Sequence, residues 1–201
     1  MTRLSNYSAA VALALTCFVG ATTAWADGSA RDTLFNAYQK MLNARYVADT
    51  VSTDAKGRET TSKVEFDTIK RFRATSPQAS FIVLPEGTWM RSGNGEWTQP
   101  PIDMSAMVKR LVPAALDDVR AGTSNIKDEG TKSIDGQETR VISYDVNTKI
   151  MNFNVSSHNT VYIDASGHIV RSESDSTAMG HTSHSVQTIR YDDSVKITAP
   201  N

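Results

Sequence analysis

The chain has 201 residues, 21 basic against 22 acidic, for a formal net charge of −1. That balance leaves no basic footprint for phosphate, so nucleic acid is not expected as a partner. Hydrophobic residues at 39% and charged residues at 21% are the proportions of a globular chain, not of a disordered or membrane-embedded one, and the single cysteine, Cys17, excludes a disulfide framework and a cysteine-built zinc site.

Residues 1–26 read as a secretion signal. Arg3 supplies a positive start, residues 9–21 form an apolar run, and Ala24-Trp25-Ala26 is the small-x-small pattern at which a signal peptidase cuts. The run is short for a bilayer span, which needs roughly 20 residues. Ala14-Leu15-Thr16 departs from the Leu-small-small that precedes a lipidated cysteine, so Cys17 is expected to leave with the signal. Cleavage after Ala26 and release into the periplasm are the expectation, with residues 27–201 as one domain.

Residues 31–44 place Leu34, Phe35, Tyr38, Met41 and Leu42 at helical spacing, with Ser29 and Asp32 as capping oxygens. From Tyr46 the period changes to two. Strands are expected over 46–53, 58–66, 70–76, 79–84, 88–91 and 96–99, joined by short turns at Gly57, Pro77, Gly87 and Gly95. Pro100-Pro101 stops this meander. Asp103 then caps a helix over 104–111 with Met104, Met107, Val108 and Leu111 on one face, closed by Pro113, and residues 114–121 suggest a second short helix. Strands resume over 124–129, 139–146, 159–164, 168–173 and 185–191. The resulting fold class is mostly β with helices (α+β): an antiparallel sheet of about eleven strands, wide enough that it must curl or close, strongly curved over the N-terminal helix and the central helical insertion.

Catalytic patterns are missing. There is no Gly-x-Ser-x-Gly elbow, phosphate-binding glycine loop or His-Glu-x-x-His, and no cofactor is implied. His181 and His184, three apart on a strand, send their rings to opposite faces, so neither they nor His158 and His168 are expected to hold a metal. Asp117-Asp118 and Asp192-Asp193 read as solvated loops, and Arg71 and Arg73 as an outer face or protected edge. The conspicuous residues are apolar ones beside turns and on the inserted helix. Phe81, Val83, Trp89, Met90 and Trp97, with Met104, Met107, Val108 and Leu111 as a lid, are the candidate lining of an apolar cavity; ordinary core packing is the alternative for each.

The order of helix, meander through Phe81-Ile-Val-Leu-Pro-Glu-Gly-Thr-Trp-Met90 and Gly95-Glu-Trp97, helical insertion, and closing meander with Tyr162-Ile-Asp-Ala-Ser-Gly-His-Ile-Val-Arg171 resembles the periplasmic lipoprotein-carrier superfamily, the LolA-type half-barrels and their mycobacterial lipid-carrier relatives. The resemblance implies an incomplete eleven-stranded barrel whose cavity shelters acyl chains. It also implies a strand arginine latching the lid, for which Arg45, Arg58, Arg71, Arg73 and Arg91 all stand open. The reading is a monomeric, non-enzymatic periplasmic carrier of a lipid or acyl chain, whose partner would be an envelope lipoprotein or a membrane-bound acceptor. A protein-interaction or sensor module without a lipid ligand is the alternative, and an enzyme the third.

Overall fold

The computed structural model describes residues 29–99, 120–150, 153–178 and 180–200. The expected signal (1–26), the helix over 104–111 and the stretch 114–119 lie outside them. Helix α1 spans Ala30–Leu42, close to its expected bounds. Ser29 caps it, its hydroxyl accepting from the Asp32 amide at 3.2 Å. Asp32 in the first turn and Lys40 in the last complement the helix dipole. Among the described residues no helix is long and apolar enough to cross a membrane.

Ten strands follow: β1 (Tyr46–Asp54), β2 (Glu59–Thr68), β3 (Arg71–Thr75), β4 (Ala79–Leu84), β5 (Gly87–Ser92), β6 (Thr123–Ile134), β7 (Gln137–Ile150), β8 (Phe153–Ile163), β9 (Ile169–Ala178) and β10 (His181–Tyr191). They form one antiparallel sheet in the order β5-β4-β3-β2-β1-β10-β9-β8-β7-β6. Two meanders are thus joined at the centre by β1 and β10, whose register runs unbroken from Tyr46 opposite Tyr191 to Asp54 opposite Ser183.

Two expectations are corrected. The segment 96–99 is not a strand: only Thr98 pairs, exchanging both backbone hydrogen bonds with Met90 at 2.8 and 2.9 Å. A turn carrying two glycines, Gly93 and Gly95, brings it back against β5 for a single bridge. The strongly curved, incomplete barrel is instead an open sheet, not closed and not strongly curled. Pairing β1 with β10 puts β5 and β6 at opposite edges of the sheet.

The outer ends of β7–β10 are where the strands outrun their expected lengths. β7 and β8 pair from Arg140–Ile163 out to Ile150–Phe153, and β9 and β10 reach Ala178 and His181. The polar residues Asn147, Ser156 and Ser157 weaken the strand signal of this stretch in sequence.

Period two sorts every strand into two faces. The front face carries Tyr46, Ala48, Phe66, Phe72, Val83, Ile142, Tyr144, Val161, Ile163, Ile169 and Ile189, which form one buried cluster with Leu34 and Ala37 of α1. The back face has a smaller cluster of Val47, Ile82 and Leu84. Val195 and Ile197, from the segment after β10, cover it, held by Arg45 donating to the Asp193 carbonyl at 3.0 Å.

Candidate functional site

The front face is the candidate site because of how it is graded. Beside α1 and across β1–β5 it is apolar. One row runs Tyr46, Phe66, Phe72, Val83, Thr88 across β1 to β5, and the next Ala48, Val64, Ala74, Phe81, Met90. One turn of pleat further along, the side chains become hydroxyls and amides. Thr50, Gln187 and Ser172 form one row, and Ser52, Ser185, Ser174 and Asn159 the next. The hydroxyls of Ser52 and Ser185 meet at 2.8 Å, and the Gln187 amide donates to Thr50 at 3.1 Å.

No acidic or basic side chain interrupts this surface between Tyr46 and Ser52 on β1, Ser183 and Tyr191 on β10, or Ser157 and Ile163 on β8. The charges of the same strands, among them Asp49, Arg171, Glu173 and Arg190, alternate onto the back. On β7 the front-facing Arg140 is consumed by Asp128 at 2.8 Å and by the Thr33 hydroxyl of α1 at 2.8 Å.

Two phenols fix α1 to this face. The hydroxyls of Tyr38 and Tyr144 lie 2.5 Å apart, with their rings edge to face. Burial pushes both phenols above their ordinary pKa, so both are neutral. Lys40 at the helix end donates to the Ser166 carbonyl at 2.5 Å in the β8–β9 turn. Gly167 there has φ +79°, a conformation that favours glycine, and an added Cβ would meet only the movable end of Lys40 at 2.9 Å.

The sequence-derived lining is divided by the sheet. Phe81, Val83 and Met90 share the front face, whereas Trp89, opposite Ile82, and Trp97 pack on the back cluster. Arg91 stacks its guanidinium 4.7 Å from the Trp97 ring. Met104, Met107, Val108 and Leu111 lie outside the described residues. None of the five arginines considered as a latch reaches α1 in a described contact. Arg45 binds Asp67 at 2.8 Å, Arg58 binds Asp54 at 2.6 Å, Arg71 faces Glu86 at 3.5 Å, Arg73 faces Glu65 at 3.3 Å, and Arg91 stacks on Trp97. One front-face hydroxyl is unserved: Thr88 is 7% exposed and its Oγ1 has no hydrogen-bond partner, a situation that costs about 1–3 kcal/mol.

Sequence reasoning missed the hydroxyl rows, whose signal was Ser and Thr at alternate positions of β1, β9 and β10. It also missed a row on the back. His184, Asp175, His158 and Asp145 stand in direct register across β10 to β7. His184 meets Asp175 at 2.8 Å and His158 meets Asp145 at 2.7 Å through their Nδ1 atoms. Asn125 donates to Asp145 at 2.7 Å and, with His158, holds that carboxyl below its usual pKa. An ionised carboxylate only accepts, so each ring donates its Nδ1–H. His181 lies on the opposite face from His184, as its spacing requires. Among the described residues no three His, Cys, Asp or Glu side chains converge as a metal centre would need.

No protein-family model and no curated protein matches the chain by sequence. Solved structures do match its fold. The lipoprotein LppX of Mycobacterium tuberculosis superposes with a TM-score of 0.58 at 15% identity, covering 86% of this chain and 100% of that one. LprF of Mycobacterium bovis superposes with a TM-score of 0.56 at 13% identity, over 85% of this chain and 96% of its own. At these identities the likeness to LppX and LprF shows a shared fold over most of the chain.

Proposed function

We infer that this protein is an envelope carrier that shelters the acyl part of a lipid or lipoprotein on its front face. The observation that carries the reading is the segregation of charge: one face of a ten-stranded sheet is free of acids and bases over most of its breadth, while the other is studded with them. A sheet that needed only a helix-covered core would require an apolar patch under α1. Here the half-buried Phe81 and Met90 extend the apolar floor to β4 and β5, past the buried Phe72 and Val83 that belong to the cluster under α1. Each methylene withdrawn from water onto such a floor contributes about 0.8 kcal/mol. The fold shared with two mycobacterial proteins, one described as a lipoprotein, supports the same reading.

Export with cleavage after Ala26, a single periplasmic domain over 27–201, action as a monomer and delivery to a membrane-bound acceptor belong to this proposal on sequence grounds. So do Met104, Met107, Val108 and Leu111 as the apolar stripe of a lid. Of the remaining sequence-derived lining, Phe81, Val83 and Met90 would touch the ligand; Trp89 and Trp97 would support the floor from behind.

Native mass spectrometry of protein purified from the envelope tests the reading, together with titration by a fluorescent acyl ester. Co-purifying lipid and saturable binding that Phe81→Glu abolishes, with circular dichroism unchanged, are expected. A stoichiometric protein partner and no ester binding would establish the interaction-module alternative instead.

A further inference from the structure

The hydroxyl rows specify what kind of ligand the floor accepts. Resting on the carrier reading, we propose that the ligand is an uncharged amphiphile with a hydroxyl-bearing headgroup, of the acylglycerol type. Its chain lies on the Phe72–Phe81–Met90 side and its headgroup on Ser52, Ser185, Ser174 and Asn159. Three features lead there. The hydroxyl row lies in direct register over four adjacent strands, β1, β10, β9 and β8, a span of about 14 Å at the ordinary strand spacing. That is wide enough for a small polyol.

The row also continues the apolar floor along the same strands, two residues beyond Thr50 and four beyond Ala48, so one ligand meets both without crossing an edge. The chemistry of the row then discriminates. Ser52 and Ser185 face each other at 2.8 Å, and Ser174 faces Ser176 at 3.0 Å. Each of these hydroxyls donates one hydrogen bond and accepts up to two, so it can rotate to suit a ligand group that both gives and takes. A carboxylate or phosphate only accepts, and would be drawn out of water onto rows that hold no cation among the described residues. The front-facing Arg140 is tied to Asp128 and Thr33, and Lys40 of α1 to the Ser166 carbonyl. On this face His181 and Asp54 are at the ends of their strands, beyond the rows, and Tyr144, in register with Asn159, is a neutral phenol bonded to Tyr38.

The test holds the chain constant and varies the head: 1-palmitoylglycerol, palmitate and methyl palmitate, each displacing the fluorescent ester from the wild-type protein. Palmitoylglycerol should bind about tenfold more tightly than palmitate, the difference that two hydrogen bonds of ordinary strength make. Ser174→Ala combined with Ser185→Ala should remove that advantage while leaving methyl palmitate unaffected. Ser174→Lys, which places a cation on the row, should draw palmitate ahead. Equal binding of palmitate and palmitoylglycerol, or a double variant that weakens all three probes alike, overturns the headgroup site and leaves the carrier standing. Failure of all three probes to bind overturns the carrier reading itself.

Discussion

The front and back of this sheet are built from the same ten strands and the same hydrogen-bond ladder, yet they obey different physics. On the front, Phe66, Ile142, Val161, Ile163 and Ile169 are at most 2% exposed and stabilise the fold by removal from water. On the back, the outer rows pair Arg73 with Glu65, Arg171 with Glu173, and His184 with Asp175 in solvent, where such pairs contribute little. Stability therefore resides chiefly on the front, with the smaller cluster of Val47, Ile82 and Leu84 adding to it on the back. The back can vary in charge, and it keeps the molecule from associating through a broad sheet.

The largest expected effect breaks the front. Phe66→Ala removes a fully buried ring stacked 4.7 Å from Tyr46 and should cost about 3–5 kcal/mol in urea unfolding. Glu65→Ala, one residue along the same strand and on the back, should cost under about 1 kcal/mol. Comparable losses would mean that both faces carry the fold.

The Tyr38–Tyr144 contact sharpens the comparison by testing the helix-to-front seam. Tyr144→Phe leaves the buried Tyr38 hydroxyl without its described partner, at a cost of about 1–3 kcal/mol. A stability unchanged within error would show that the phenols only fill space.

Alkaline titration reads the same seam without mutation. Burial raises the folded-state pKa of Tyr38, Tyr46, Tyr144 and Tyr191, in the last three with a smaller electrostatic contribution from a neighbour. Each stays neutral when folded, while the unfolded phenol ionises near 10. The stability they add is complete below that value and should fall as the pH rises beyond it. A midpoint in urea that is flat to strongly alkaline pH would contradict this.

The smallest effects belong to the back row. Replacing His158 and His184 together by Ala should change stability by no more than about 0.5 kcal/mol and leave acyl-ester binding intact. Asn125→Ala should let Asp145, now held below the usual carboxylate pKa chiefly by that amide, titrate nearer its ordinary value in an NMR pH series. Since a lowered folded pKa stabilises above the carboxylate range and is lost on acidification, the variant should also be less sensitive to acid. A loss of ligand binding in the double histidine variant would move the functional face to the back.

Much of this was legible before any coordinates. Segments 79–84 and 139–146 showed as runs rich in apolar residues because both of their faces are covered, whereas alternation in 46–53 announced a strand because one side of it is dry. The capped stripe Leu34, Tyr38 and Met41 announced α1 for the same reason. Segment 96–99 misled because Trp97 and Thr98 have the right composition, yet strand identity needs a partner along its length and only Thr98 finds one. The outer halves of β9 and β10, rich in Ser and Thr, gave little signal because the ladder holds them without a buried side.

For the candidate site, Phe81, Val83 and Met90 were found by type, but Trp89 and Trp97 were grouped with them in error of face. Adjacent residues on a strand point apart, and residues near in sequence across a turn share a face only if the register says so.

What the sequence by itself determined is the local alternation: which positions are dry, where chains turn, and that nothing catalytic is patterned along the chain. The tertiary structure alone decided that β1 pairs with β10, and everything of functional interest depends on that pairing. It sets Ser52 beside Ser185, carries the row on to Ser174 and Asn159, and sends every intervening charge to the back. Period two along a strand is a local property, but the register between strands far apart in sequence is a property of the assembled sheet, chosen because it gathers the front-facing apolar positions into one buried cluster.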